Sequence, residues 1–113
     1  MAIVLEQIWN LSEDDVEVGT INFTPYLDAN ELISSVTVTE ITTTALTIGN
    51  VAKSTGELVI LNETVATAKA IQCSVTGQQA GTDYKLAVQI VTDSSPARTK
   101  NFCQLISTAP ACT

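Results

Sequence analysis

Apolar and polar residues alternate with a period of two along most of this chain. In residues 84–92, Tyr84, Leu86, Val88 and Ile90 fall on one side, which predicts a β-strand with one buried face. Similar patterns, interrupted by Gly, Pro, Asp and Ser, predict further strands over residues 16–24, 32–42, 46–51, 57–61, 65–76 and 98–107. About seven short strands at this spacing are typical of a β-sandwich.

The first of these predicted strands changes phase. Val16 and Val18 alternate on one side, whereas Ile21 and Phe23 continue the pattern on the other. A one-residue shift of this kind is what a β-bulge produces, so we expect a bulge at Gly19.

Residues 1–11 do not follow the alternating pattern and are rich in apolar side chains. They are a first strand or short helical turn packed on the domain, or an arm that docks on a neighbouring chain. In the second case Ile3, Leu5, Ile8 and Trp9 would contact the partner. We therefore divide the chain into an N-terminal arm or edge strand (1–11), a β-sandwich domain (12–107) and a flexible tail (108–113).

Composition supports an all-β fold. Thr, Val and Ile make up 38 of the 113 residues, and β-branched side chains favour a pleated, half-buried surface. Aromatic residues are only 4% of the chain, so we expect a mainly aliphatic core.

Charge and residue types exclude several classes of function. With 12 acidic and 5 basic residues the net charge is −7, whereas nucleic-acid binding needs clustered Lys and Arg. The chain has no His, which removes His-based catalysis and His metal sites. It has neither a signal-peptide pattern nor the roughly 18 consecutive apolar residues of a membrane span. We expect no enzyme, no cofactor, no nucleic-acid partner and no membrane partner.

Two further groups of residues offer little chemistry. Cys73, Cys103 and Cys112 have no CxxC spacing, and we expect Cys73 and Cys103 to be small buried side chains, although a bridge between them stays open. The acidic residues from Glu13 to Glu17 lack the spacing and turn glycine of a calcium loop. They predict a solvated or partner-facing surface and no metal site.

One loop carries a structural motif. Gly81 lies three residues before Tyr84, which begins the most regular strand, and Gly77 begins the loop. This arrangement is typical of a tyrosine corner, in which a Tyr hydroxyl bonds to the backbone upstream and fixes a loop to the sandwich.

The order of these features resembles a family of small tailed-bacteriophage virion proteins with an immunoglobulin-like fold. The N-terminal part of the resemblance consists of the acidic turn before Val16, the extended run through Ile21 and Phe23, and an I-x-S strand at Ile33. Its C-terminal part consists of a loop in which Gly77, Gly81 and Tyr84 resemble the family's G-x-x-G-x-x-Y pattern, followed by a strand that ends in Thr before a tight turn. The similarity spans roughly residues 12–107.

The resemblance implies a structural role in a virion, as an adaptor that joins tail, head–tail or fibre components. It implies other virion proteins as partners, self-association, and synthesis in the cytoplasm of a host bacterium. One alternative is a capsid decoration (cement) protein that stabilises the head lattice. Another is a carbohydrate- or surface-binding β-sandwich module, for which Trp9 and Tyr26 are the candidate binding aromatics.

Overall fold

A computed structural model of the chain describes residues 3–5, 7–13, 15–42, 46–60 and 62–109. Within these residues the chain is all-β, with a single 3-10 turn at Thr24–Tyr26. The strands are β1 Ile3–Val4, β2 Trp9–Ser12, β3 Glu17–Asn22, β4 Ile33–Glu40, β5 Thr47–Lys53, β6 Leu58–Ile60, β7 Glu63–Val65, β8 Ala70–Thr76, β9 Asp83–Thr92 and β10 Thr99–Ala109.

The strands form two main sheets and a small hairpin. The first sheet has the order β1–β10–β9–β4, and β2 also pairs with β10. The second has the order β3–β8–β5, and β6 pairs with β7. All pairs are antiparallel except those of β1 and β2 with β10, which are parallel.

The inward faces of both main sheets contribute to one apolar core. Leu86, Val88 and Ile90 of β9 are almost fully buried there, as are Ile71 and Val75 of β8. Each aliphatic side chain of this size gains about 1.5–3 kcal/mol on full burial, so the alternating residues are the main source of stability.

Three aromatic residues pack together near the start of β10. Phe102 packs against Phe23 and Tyr26, with ring centroids 4.7 and 4.9 Å apart. Tyr26 is only half-buried, and its ring is held against Phe102 in an edge-on geometry that favours aromatic pairs.

The predicted strands are present, with two differences in their extent. The predicted strand over residues 65–76 is interrupted: Val65 ends β7, β8 begins at Ala70, and Ala68 between them has a positive φ of 61°. The last strand continues to Ala109, and Thr108 is buried, so the predicted tail is wrong at residues 108–109. Residues 110–113, with Cys112, lie outside the described residues.

The predicted bulge at Gly19 is wrong. β3 pairs with β8 in unbroken register from Glu17, opposite Val75, to Asn22, opposite Ala70. Gly19 occupies an inward position of this regular strand, and Val18 is exposed on its outer face. The apparent phase change arises because the strand carries apolar residues on both faces.

Candidate interaction site

The N-terminal segment lies along the edge of the first sheet. β1 and β2 both run parallel to β10, with Ile3 opposite Phe102 and Trp9 opposite Ile106. The N–H of Leu5 donates to the carbonyl of Cys103 at 2.9 Å. The segment is therefore an edge of the sheet rather than an arm separate from it.

The four residues predicted to contact a partner divide into two pairs. Ile3 and Ile8 are 51% and 45% exposed, whereas Leu5 and Trp9 are only 5% and 7% exposed and belong to the core. Leu5 and Trp9 are thus corrected from partner-facing to core residues. The exposed apolar surface of this edge consists of Ile3, Ile8 and the adjacent Val4.

Trp9 connects the two sheets through its contact with Gly19. A Cβ atom placed on Gly19 would lie 2.3–2.6 Å from three carbon atoms of the Trp9 ring. Only glycine leaves room for this close approach. The buried ring also removes Trp9 as an exposed binding platform for carbohydrate.

A shallow groove of about 390 Å³ runs between β2 and β3, over this contact. Its lining includes Ile8 and Asn10 of β2, Glu17 and Val18 of β3, and Ile60 of β6. Val18 and its neighbour Val16 are 65% and 73% exposed. The groove therefore lies between two sheet edges, beside exposed apolar side chains and a carboxylate.

The loop at the acidic end of the molecule is fixed as the sequence predicts. The hydroxyl of buried Tyr84 accepts a hydrogen bond from the N–H of Gln79 at 3.0 Å. Gly77 and Gly81 have φ values of 89° and 73°, in the left-handed region that favours glycine. This is the backbone contact of a tyrosine corner.

The same loop holds the acidic segment in place. The side chain of Gln78 is buried, and its Nε2 donates to the carbonyls of Ser12 at 2.7 Å and Asp15 at 2.9 Å. The Oε2 of Glu13 accepts from the N–H of Ala80 at 3.3 Å. The path from β2 into β3 is therefore tied to the tyrosine corner.

At the opposite end, basic side chains hold the loop between β3 and β4. Lys100 donates to the Oε1 of Glu31 at 3.3 Å, and the Nζ of Lys69 donates to the carbonyl of Ala29 at 2.9 Å. The nearby Thr92 side chain, the Asp28 N–H and Lys100 favour the charged carboxylate of Glu31 and lower its pKa to about 2. These cations stabilise the protein's own loop.

The described cysteines and carboxylates are the side chains that the sequence offered for reactive or metal chemistry. Cys73 and Cys103 are free thiols, so the bridge left open by the sequence is not formed. Burial raises the pKa of the Cys73 thiol to about 11, which keeps it protonated and poorly nucleophilic at neutral pH. No group of three or more metal-ligating side chains occurs within the described ranges.

The groove and the β3 edge are absent from the sequence prediction. Val16 and Val18 are the available signal, but in the sequence their phase difference from Ile21 and Phe23 indicates a bulge at Gly19. The exposure of this edge follows from sheet order, which residue patterns alone do not supply.

In the described part of the chain, no helix has the length and apolar character needed to cross a membrane. No family model, no curated protein and no solved structure matches this chain.

Proposed function

We propose that this chain is a non-enzymatic structural protein of a bacteriophage virion, an adaptor between tail, head–tail or fibre components. We further propose that its fold is an immunoglobulin-like β-sandwich. The sheet orders β3–β8–β5 and β4–β9–β10 correspond to the B–E–D and C–F–G orders of that fold. The tyrosine at the start of the penultimate strand supports the same assignment.

The observation that carries the adaptor role is the exposed apolar edge formed by Ile3, Val4 and Ile8. Beside Ile8 is a hollow of about 330 Å³, which Tyr84 and Leu105 also line. Apolar side chains at a rigid sheet edge gain free energy when a neighbouring subunit covers them. The charge of −7 keeps the free subunit soluble and disfavours wrong contacts between acidic surfaces.

The adaptor role is tested by incorporation into virus particles. The double variant Ile3→Ser with Ile8→Ser removes apolar area from the edge and leaves the buried Leu5 and Trp9 unchanged. The matched control is Val59→Ser, at an exposed valine of β6.

We expect the double variant to keep a folded spectrum and to lose most of its incorporation, while the control is incorporated normally. Normal incorporation of the double variant contradicts an assembly role for this edge. Failure of the unchanged chain to enter particles contradicts the proposed function itself.

A further inference from the structure

The described sheet edges differ in how well they are protected against pairing with another strand. β4 has a register shift between Ile33 and Ser35, and β5 has one between Gly49 and Ala52 and ends in Lys53. Bulges and lysines are common devices that prevent edge-to-edge association. The N-terminal edge is divided between the two short strands β1 and β2.

β3 has none of these protective features. Its register with β8 is regular over all six residues, and it contains no Lys and no Pro. It is the terminal strand of its sheet, with β8 on one side and no other described strand paired on the other. A regular, exposed edge is a template for an added strand.

The register identifies the backbone groups that face away from β8. The N–H of Phe23 donates to the carbonyl of Lys69, and paired residues alternate between bonded and non-bonded positions in an antiparallel ladder. Val18 and Thr20, opposite Ser74 and Gln72, therefore occupy non-bonded positions. Their N–H and C=O groups point to the free edge, where an added strand can bond to them.

The electrostatics of this edge favour one kind of added strand. Glu17 lines the groove, and the exposed Asp15 lies just before β3. None of the five basic residues of the chain lines the groove. A second copy would bring its own acidic residues to this edge, whereas a strand with lysine or arginine would find opposite charge.

We propose that the β3 edge binds an extended segment of a different protein, with apolar residues at alternate positions and a basic residue beside Glu17. The segment adds a fourth strand next to β3, with hydrogen bonds to Val18 and Thr20, and its apolar side chains cover Val16 and Val18. This inference deepens the proposed assembly role and rests on it, because it names the surface and the chemistry of a virion partner.

The test is a titration of the isotopically labelled full chain with two synthetic peptides. Both have six alternating Thr and Val residues, and one is flanked by Lys and the other by Glu. We expect the Lys-flanked peptide to shift the amide resonances of Val18 and Thr20. We expect the Glu-flanked peptide to bind roughly fivefold more weakly, as one or two exposed charge contacts provide.

Two variants distinguish backbone pairing from charge. Val18→Pro removes an outward N–H and leaves the β8 ladder intact, whereas Val18→Thr is the matched control that keeps this donor. We expect only the proline variant to lose binding. Glu17→Lys should make the chain bind the Glu-flanked peptide more tightly than the Lys-flanked one. This second variant tests the inference even if Val18→Pro unfolds.

Other results overturn the inference without affecting the adaptor role. These are an absence of shifts at Val18 and Thr20, shifts confined to β4 or β5, or an unchanged preference in Glu17→Lys. Dimerisation of the free chain that Val18→Pro abolishes would assign this edge to a second copy instead. Because the titration uses the isolated chain, its failure is separable from a failure to enter particles.

Discussion

At the scale of single residues, Gly19 determines how the two sheets pack together, and Tyr84 determines how one loop is attached to the core. Gly19 lets the Trp9 ring pass over β3, and Tyr84 ties the loop before β9 to the core. Neither role depends on hydrophobic burial alone, so each predicts a specific effect of a small substitution.

Gly19→Ala tests the contact between the sheets. Its methyl group would lie 2.3 Å from a ring carbon of Trp9, so the ring or the strand must move. We expect a loss of about 1–3 kcal/mol of unfolding free energy, as overpacking causes. Denaturant unfolding measures it, and Gly56→Ala, where an added Cβ would meet no atom within 4 Å, is the control.

The origin of the cost is separable by a double-mutant cycle. Trp9→Leu removes the ring, and in that background Gly19→Ala should cost much less. An equal loss of unfolding free energy in both backgrounds would show that the Trp9 ring is not the reason why position 19 requires glycine.

Tyr84→Phe tests the tyrosine corner. The substitution keeps the buried ring but leaves the N–H of Gln79 without the hydroxyl acceptor at 3.0 Å. We expect a loss of about 0.5–1.5 kcal/mol, the usual net contribution of one hydrogen bond, because this bond is only partly buried. Tyr26→Phe is the control. An unchanged melting midpoint for Tyr84→Phe would show that the hydrogen bond of the tyrosine corner does not stabilise the protein.

At the scale of elements, the N-terminal segment tests whether β1 and β2 belong to the domain. Leu5→Ala deletes a core side chain and should cost about 2–5 kcal/mol, whereas Ile3→Ala, at an exposed position, should stay within about 0.5 kcal/mol. Thermal unfolding of the two variants gives the comparison. Equal, small effects would show that this segment is dispensable for folding.

The elements that the sequence predicts are those with a strong period of two. In β9, Leu86, Val88 and Ile90 alternate with more exposed residues, and their burial follows from that pattern. The tyrosine corner was predictable for a similar reason, because its glycines and its tyrosine lie close together in the chain.

The features that the sequence does not predict, namely the roles of Trp9 and Gly19 and the free edge at Val18, depend on contacts between residues that are distant in the chain. Trp9 is an apolar residue in a short segment, and only its pairing opposite Ile106 shows that it faces the core. The same holds for Gly19, whose conformation needs no glycine, since the requirement comes from the Trp9 ring. The free edge at Val18 follows from the order of strands, which local patterns do not encode.

At the scale of the whole molecule, charge is unevenly distributed between the two ends. Asp15 and Glu17 lie at the end where β3 begins, with Asp83 at the start of β9. Lys69, Arg98 and Lys100 lie at the opposite end, where they bond to the loop between β3 and β4. The acidic end, with the adjoining β3 edge, is therefore the surface at which a basic partner gains most.

The copy number of this chain per virus particle tests the proposed role most directly. Quantitative mass spectrometry of purified particles, with labelled peptides of this chain and of the major capsid protein as standards, measures it. The account predicts a small number that is a low multiple of the tail symmetry. Hundreds of copies would instead indicate a capsid decoration protein, and absence from the particles would contradict a structural role in the virion.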